Sequence, residues 1–254
     1  MKMICDNEFK GKTILITGTS KGIGKALVQY FLQSEAYVIA VSRHTCEVVH
    51  ENLKEIILDI KERDKIEQII DEQGLNVDIL INNAGVMCYK SLMEVQREDI
   101  EAVFDINFIS TVLLSQMIAR KMINKKIKGI IINTISFAAN IPSVGSGIYA
   151  ASKAALENIN RTMAAELMPY GIRVNGYSPG VISTDMTAPV IKTDKKSLLN
   201  NIAIHEIGTC EYMVDVVAFL ASSRSQYLCG CNIDASGGKF IVQNAAQMWK
   251  EKDE

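Results

Sequence analysis

Short apolar runs alternate with amphipathic stretches along nearly the whole chain. Thr13 to Thr17 (TILIT) is a β-branched run with the length of a buried strand. The signal returns at Tyr37 to Val41, Glu55 to Leu58, Asp78 to Ile81, Gly129 to Asn133, Arg173 to Tyr177 and Cys231 to Asp234. Between these runs, helical spacing of apolar residues covers Lys25 to Ser34, Arg63 to Gln73, Asp99 to Met122, Ala150 to Met168 and Glu211 to Ala221. This alternation predicts an α/β fold, a doubly wound parallel sheet of about seven strands with helices on both faces and right-handed crossovers. Residues 185–207 break the rhythm with Pro189, a basic patch and weak periodicity, as suits a loop or short helices closing over a cleft. The charged tail from Ala245 is expected to fray. With no internal repeat, linker or low-complexity stretch, residues 1–254 read as a single domain.

The polar punctuation is one-sided. Gly18-Thr19-Ser20-Lys21-Gly22-Ile23-Gly24 joins the first strand to the first helix, the setting a phosphate-binding turn needs. Its Gly-x-x-x-Gly-x-Gly spacing differs from the commoner Gly-x-Gly-x-x-Gly fingerprint, and a glycine helix start without a ligand is the competing reading. Ser42 and Arg43 end the second strand, where nucleotide-binding units often carry a ribose-binding carboxylate. Here there is a cation instead, and Lys21 adds a second, which favours a 2′-phosphate and so NADP(H) over NAD(H), unless Arg43 is a solvated loop residue. Asp59-Ile60, Asn82-Asn83-Ala84-Gly85 and Ser178-Pro179-Gly180-Val181-Ile182-Ser183-Thr184 close later strands. Every one of these features falls at a strand's carboxyl end, where open α/β sheets bind ligands.

Bulk numbers narrow the classes. The chain has 254 residues, 48% hydrophobic and 22% charged, as in a globular domain. A net charge of −2 gives no electrostatic case for nucleic acid or an anionic membrane. Uninterrupted apolar runs are too short for a membrane span, and the charged N-terminus lacks a signal core, so a cytoplasmic protein is expected. The six cysteines do not make a disulfide framework in a chain this long. Cys229-Gly-Cys231 reads either as a redox or metal pair or as small strand residues. His44, His50 and His205 have no metal-ligand spacing, so no metal is expected.

The candidate chemistry lies between Ser136 and Lys153. Tyr149-x-x-x-Lys153 places a phenol and an ammonium on one helix face, although such pairs also occur on ordinary exposed helices. A free tyrosine, with pKa about 10, is a poor acid–base catalyst at neutral pH, and a neighbouring cation favours its ionised form. Ser136 could hold the oxygen that exchanges a proton with the phenol. Asn107 within a long apolar helix costs propensity and invites a kink or a bound water.

In order and spacing, Thr17-Gly18-x-x-x-Gly22-x-Gly24, Asn82-Asn83-Ala84-Gly85, Asn107, Ser136, Tyr149-x-x-x-Lys153 and Pro179-Gly180-x-x-x-Thr184 resemble the short-chain dehydrogenase/reductase family. The likeness runs from about residue 9 to 240 and is strongest to the 3-oxoacyl-carrier-protein reductase branch. It implies a Rossmann-type fold and an oxidoreductase acting on a ketone or secondary alcohol with NADP(H), with NAD(H) as the alternative. It implies Tyr149 as general acid or base, Lys153 tuning it and binding ribose, Ser136 polarising the substrate oxygen and Asn107 holding a relay water. Gly18, Thr19, Ser20, Lys21, Gly22, Ile23 and Gly24 would line the pyrophosphate side, with Ser42 and Arg43 beyond them. Asp59 and Ile60 would flank adenine, Asn83, Ala84 and Gly85 the ribose, and Pro179, Gly180, Ile182 and Thr184 the carboxamide. The family also implies a homo-oligomer, tetramer or dimer. His205-Glu206 stands where the reductase branch often has a proline-containing turn, so an acyl-carrier-protein substrate does not follow. A non-catalytic nucleotide sensor is the reading from another class. The expected pocket walls, Cys88, Phe137, Ile141, Val144 and Met186, suit a hydrophobic substrate.

Overall fold

A computed structural model describes residues 8–193, 195–239, 241–245 and 247–252. Seven parallel strands form one sheet, β1 (Thr13–Thr17), β2 (Tyr37–Ser42), β3 (Leu53–Ile57), β4 (Ile79–Asn82), β5 (Ile130–Thr134), β6 (Arg173–Pro179) and β7 (Asn232–Ala235). Their order is β3-β2-β1-β4-β5-β6-β7. In β1 the side chains alternate between faces. Ile14 and Ile16 pack with α1 (Gly22–Gln33) and α8 (Cys210–Ala221). Leu15 packs with α2 (Arg63–Glu72), α4 (Thr111–Asn124) and α5 (Gly147–Leu167) on the other side. Burial on both faces explains why the strands read as unbroken apolar runs.

Element boundaries shift where the apolar signal is thin. The third strand runs from Leu53 rather than Glu55, because the edge register pairs Leu53 with Val38 and buries only Ile56 fully. Helix α1 starts at Gly22, so the last two glycines of the turn belong to its first turn. Helix α5 starts at Gly147 and takes Tyr149 into its first turn.

The long helix expected over Asp99 to Met122 is three pieces: α3 (Arg97–Phe104), a π-helical stretch (Asp105–Ser110) and α4. The disturbance expected from Asn107 thus takes the form of a π-bulge, a widened turn that recurs at functional sites. By length and mean hydropathy, residues 97–124 could cross a membrane, a property that short uninterrupted runs did not reveal; in the fold, half of its most apolar stretch is buried.

Residues 185–207 include two short helices, α6 (Ala188–Thr193) and α7 (Lys195–Asn200), with Asp194 outside the described residues. Where fraying was expected, the tail holds a short helix, α9 (Gln247–Lys252); Ala246, Asp253 and Glu254 lie outside the described residues. Trp249 fixes α9 by donating its indole N–H to the Ala203 carbonyl at 2.9 Å.

Candidate active site

Strand order reverses between β1 and β4, and their carboxyl ends open a crevice there. A cleft of about 700 Å³ runs across these ends. Gly18, Ser20, Lys21, Gly22, Ile23, Ser42, Arg43, Asp59, Ile60, Asn83, Ala84, Gly85, Ser136, Tyr149, Lys153, Pro179, Gly180, Ile182 and Thr184 all line it. Thr19, Gly24 and Asn107 stand behind its wall. Thr19 is fully buried and bonds the Ser42 hydroxyl at 3.2 Å, tying the glycine turn to the end of β2. A methyl group at Gly24 would fall on the Gly18 carbonyl and within 2.6 Å of Asn83 Nδ2. The Asn83 amide donates to the carbonyls of Thr17 and Gly18, so it braces the turn from behind.

Ser136, at the end of β5, caps a 3-10 turn and accepts from the Ala138 N–H at 3.2 Å. Its hydroxyl also favours the ionised form of the Tyr149 phenol. Lys153 follows one turn after Tyr149, 3% exposed, with its ammonium donating to the Thr134 carbonyl at 2.7 Å. That ammonium lies 5.9 Å from the centroid of the Tyr149 ring. A methyl on Gly85 would stand 3.4 Å from Asn107 Oδ1 and 3.6 Å from Lys153 Nζ, so bare backbone passes close to both. Asn107 Oδ1 accepts from the Val86 N–H at 2.8 Å, and its amide donates to the Val86 carbonyl and to Ser152 Oγ, both at 3.0 Å. The π-bulge residue therefore pins the loop after β4 against the start of α5.

Two electrostatic expectations change. Burial lowers the Lys153 ammonium to about 8. Burial raises the Tyr149 phenol, and Ser136 opposes that only in part. Desolvation thus dominates in the protein alone, and a depressed phenol requires further positive charge in the cleft. Lys21, expected beside Arg43, instead pairs with Asp185 at 3.0 Å across the cleft mouth. Arg43 remains the cation at the end of β2.

The cleft wall is mostly apolar, as expected, although not every expected residue reaches it. Phe137, Val144 and Met186 line the cleft, whereas Ile141 lines a smaller adjoining cavity and Cys88 lines neither. Lys239 lines both cavities and went unnoticed in the sequence, although it directly follows Ser236-Gly237-Gly238 at the end of β7. Cys229 and Cys231 are free thiols with separate partners, the Ala164 carbonyl and Asn175 Oδ1.

Fold and cleft together define a Rossmann-class α/β protein with its site at the carboxyl ends of the strands. The sequence pattern described as short chain dehydrogenase matches residues 12–195. The D-erythrulose reductase of Gallus gallus is 32% identical over 244 residues, covering 93% of this chain and 98% of that one. The 3-oxoacyl-[acyl-carrier-protein] reductase of Thermotoga maritima is 32% identical over 244 residues, covering 91% and 99%. A short chain dehydrogenase from Leptospira borgpetersenii, solved with bound NAD+, superposes with a TM-score of 0.87 at 31% identity over 95% and 98% of the two chains. The chain belongs to the short-chain dehydrogenase/reductase family and is an oxidoreductase acting on ketone or alcohol groups.

Proposed function

We propose that the protein transfers a hydride between NADP(H) and a ketone or secondary alcohol, with Tyr149 exchanging the proton. The meeting of Ser136, Tyr149 and Lys153 on the cleft wall, with the Lys153 ammonium 5.9 Å from the centroid of the Tyr149 ring, carries this reading. The residues fit a dinucleotide: bare backbone at Gly85 keeps the wall thin beside Lys153, and the cleft spans from Arg43 to Ser136. When bound, the nicotinamide supplies or accepts the hydride.

Gly18 to Gly24 would hold the pyrophosphate at the start of α1, and Asp59 and Ile60 the adenine. Ser136 orients the substrate oxygen toward the Tyr149 hydroxyl, which donates its proton in reduction and takes it back in oxidation. Lys153 holds positive charge beside the phenol and restrains its loss of acidity on burial. Asn107 keeps the loop at Gly85 and Val86 from closing on Lys153. Residues 185–207 act as a lid, which the Lys21–Asp185 pair fastens across the cleft mouth.

Arg43 supports NADP(H), since no carboxylate ends β2. The capture of Lys21 by Asp185 leaves that preference to one side chain. Arg43→Asp should lower kcat/KM with NADPH by about tenfold, the scale of one charge-assisted contact, and spare NADH. Equal loss with both cofactors would favour the NAD(H) alternative. The chemistry is tested by cofactor oxidation against ketones and 3-oxoacyl thioesters. Tyr149→Phe should lower kcat by about 10²–10⁴ while cofactor binding persists. Retained turnover in that variant overturns Tyr149 as the acid; cofactor binding with no turnover of any carbonyl favours a sensor.

A further inference from the structure

Lys239 is 6% exposed yet lines the cleft. Its ammonium stands 5.3 Å over the ring of Phe137, the residue next to Ser136. Three other cations line the cleft. Lys21 pairs with Asp185, Arg43 ends β2, and Lys153 is bonded to the Thr134 carbonyl. Lys239, over Phe137, adds positive charge at the substrate end.

The backbone fixes this placement. Gly237 and Gly238 both have left-handed φ, +70° and +75°, and a methyl at Gly238 would come within 2.9 Å of Ala203 Cβ. Past this turn the Lys239 N–H donates to Ser236 Oγ at 3.0 Å, and Lys239 bridges to Ile202. The side chain is thus turned inward by a turn that few other sequences can make. Burial lowers the ammonium's affinity for its proton, so a nearby anion would be bound the more strongly.

We propose that Lys239 is a specificity-determining residue that receives a substrate carboxylate, so that the site acts on oxo acids and hydroxy acids. This rests on the oxidoreductase reading for which end of the cleft takes the substrate. Glu157 and Asp234 also line the adjoining cavity of about 170 Å³, so an internal role for Lys239 toward them is the competing account. The test must separate a substrate contact from that purely internal role.

The probes are 2-oxobutanoate, acetoacetate and 4-oxopentanoate, each against its methyl ester, with NADPH and with NADH. Wild type should favour at least one acid over its ester by about tenfold in kcat/KM, the scale of one charge-assisted contact. Lys239→Gln should erase that preference through KM, with kcat little changed and the ester unaffected, and Lys239→Arg should restore it. An internal structural role predicts equal losses on acid and ester, and that result, or no acid preference in wild type, overturns the proposal. Calorimetric titration of the acids into the cofactor-bound protein separates the two levels. Acid binding that Lys239→Gln abolishes, with no turnover in any variant, supports Lys239 and overturns the oxidoreductase reading. Turnover of neutral ketones without acid binding keeps that reading and overturns Lys239.

Discussion

Lys153 shows what a catalytic cation costs a fold. Its ammonium is buried and falls from an ordinary 10.5 to about 8. That drop corresponds to roughly 3 kcal/mol against the charged form. The hydrogen bond to the Thr134 carbonyl offsets part of it. The sign follows from proton counts. Below about pH 8 both folded and unfolded chains carry the charge, and folding bears the full cost of burying it. Between about 8 and 10.5 the folded form gives up its proton first, so the cost fades as pH rises. Lys153→Met should therefore stabilise the cofactor-free protein at pH 7 by roughly 1–2 kcal/mol, after the loss of a partner for Thr134 is counted, and abolish activity. Urea unfolding of both proteins from pH 7 to 10 checks this. The advantage of the variant should shrink steadily with pH; a difference flat across the range would sink the idea.

At the scale of elements, the π-bulge between α3 and α4 joins architecture to site. A regular helix would carry Asn107 past Val86; the bulge turns the amide to meet both backbone groups of Val86 and the hydroxyl of Ser152. Asn107→Ala would leave those partners unsatisfied in a buried place, at a cost of roughly 2 kcal/mol or more. Exchange of the Val86 amide should accelerate by more than about tenfold relative to amides of β1, because the loop opens locally before the sheet does. Unchanged protection at Val86 would show that the loop is held by something else. The sequence made Asn107 conspicuous, since an amide in an apolar helix is locally unfavourable, but the widened turn depends on Val86 and Ser152, which no periodicity connects. The doubly wound sheet was legible because its strands are buried on both faces. The edge strand β3 was misplaced by two residues because its apolar run is thin.

At the scale of the whole molecule, the cleft is held by parts of the chain far apart in sequence. The early glycine turn, the loop after β4, the start of α5 and the turn after β7 meet there, and local motifs marked the first three. Lys239 escaped notice because a lone lysine after two glycines carries no pattern; only the sheet order, with β7 beside β6, brings it to the substrate end.

The same C-terminal segment reaches the lid. Ile202 bridges to Lys239, Trp249 bonds the Ala203 carbonyl, and its ring stacks on His205 with centroids 5.4 Å apart. Movement of residues 185–207 must therefore disturb these contacts or carry α9 with it. The chain contains one tryptophan, so intrinsic emission excited in the indole band reports this junction alone. Reduced cofactor absorbs at the emission wavelength and would quench by energy transfer whether or not the lid moved. The oxidised cofactor does not, and it isolates the conformational part. Adding NADP+ should shift or quench Trp249 emission, and Asp185→Asn, which removes the ion pair at the cleft mouth, should weaken that response while leaving the unliganded spectrum unchanged. A spectrum indifferent to saturating NADP+ in the wild type would mean that the base of the lid stays fixed and that closure, if it occurs, is confined to the residues before Ile202.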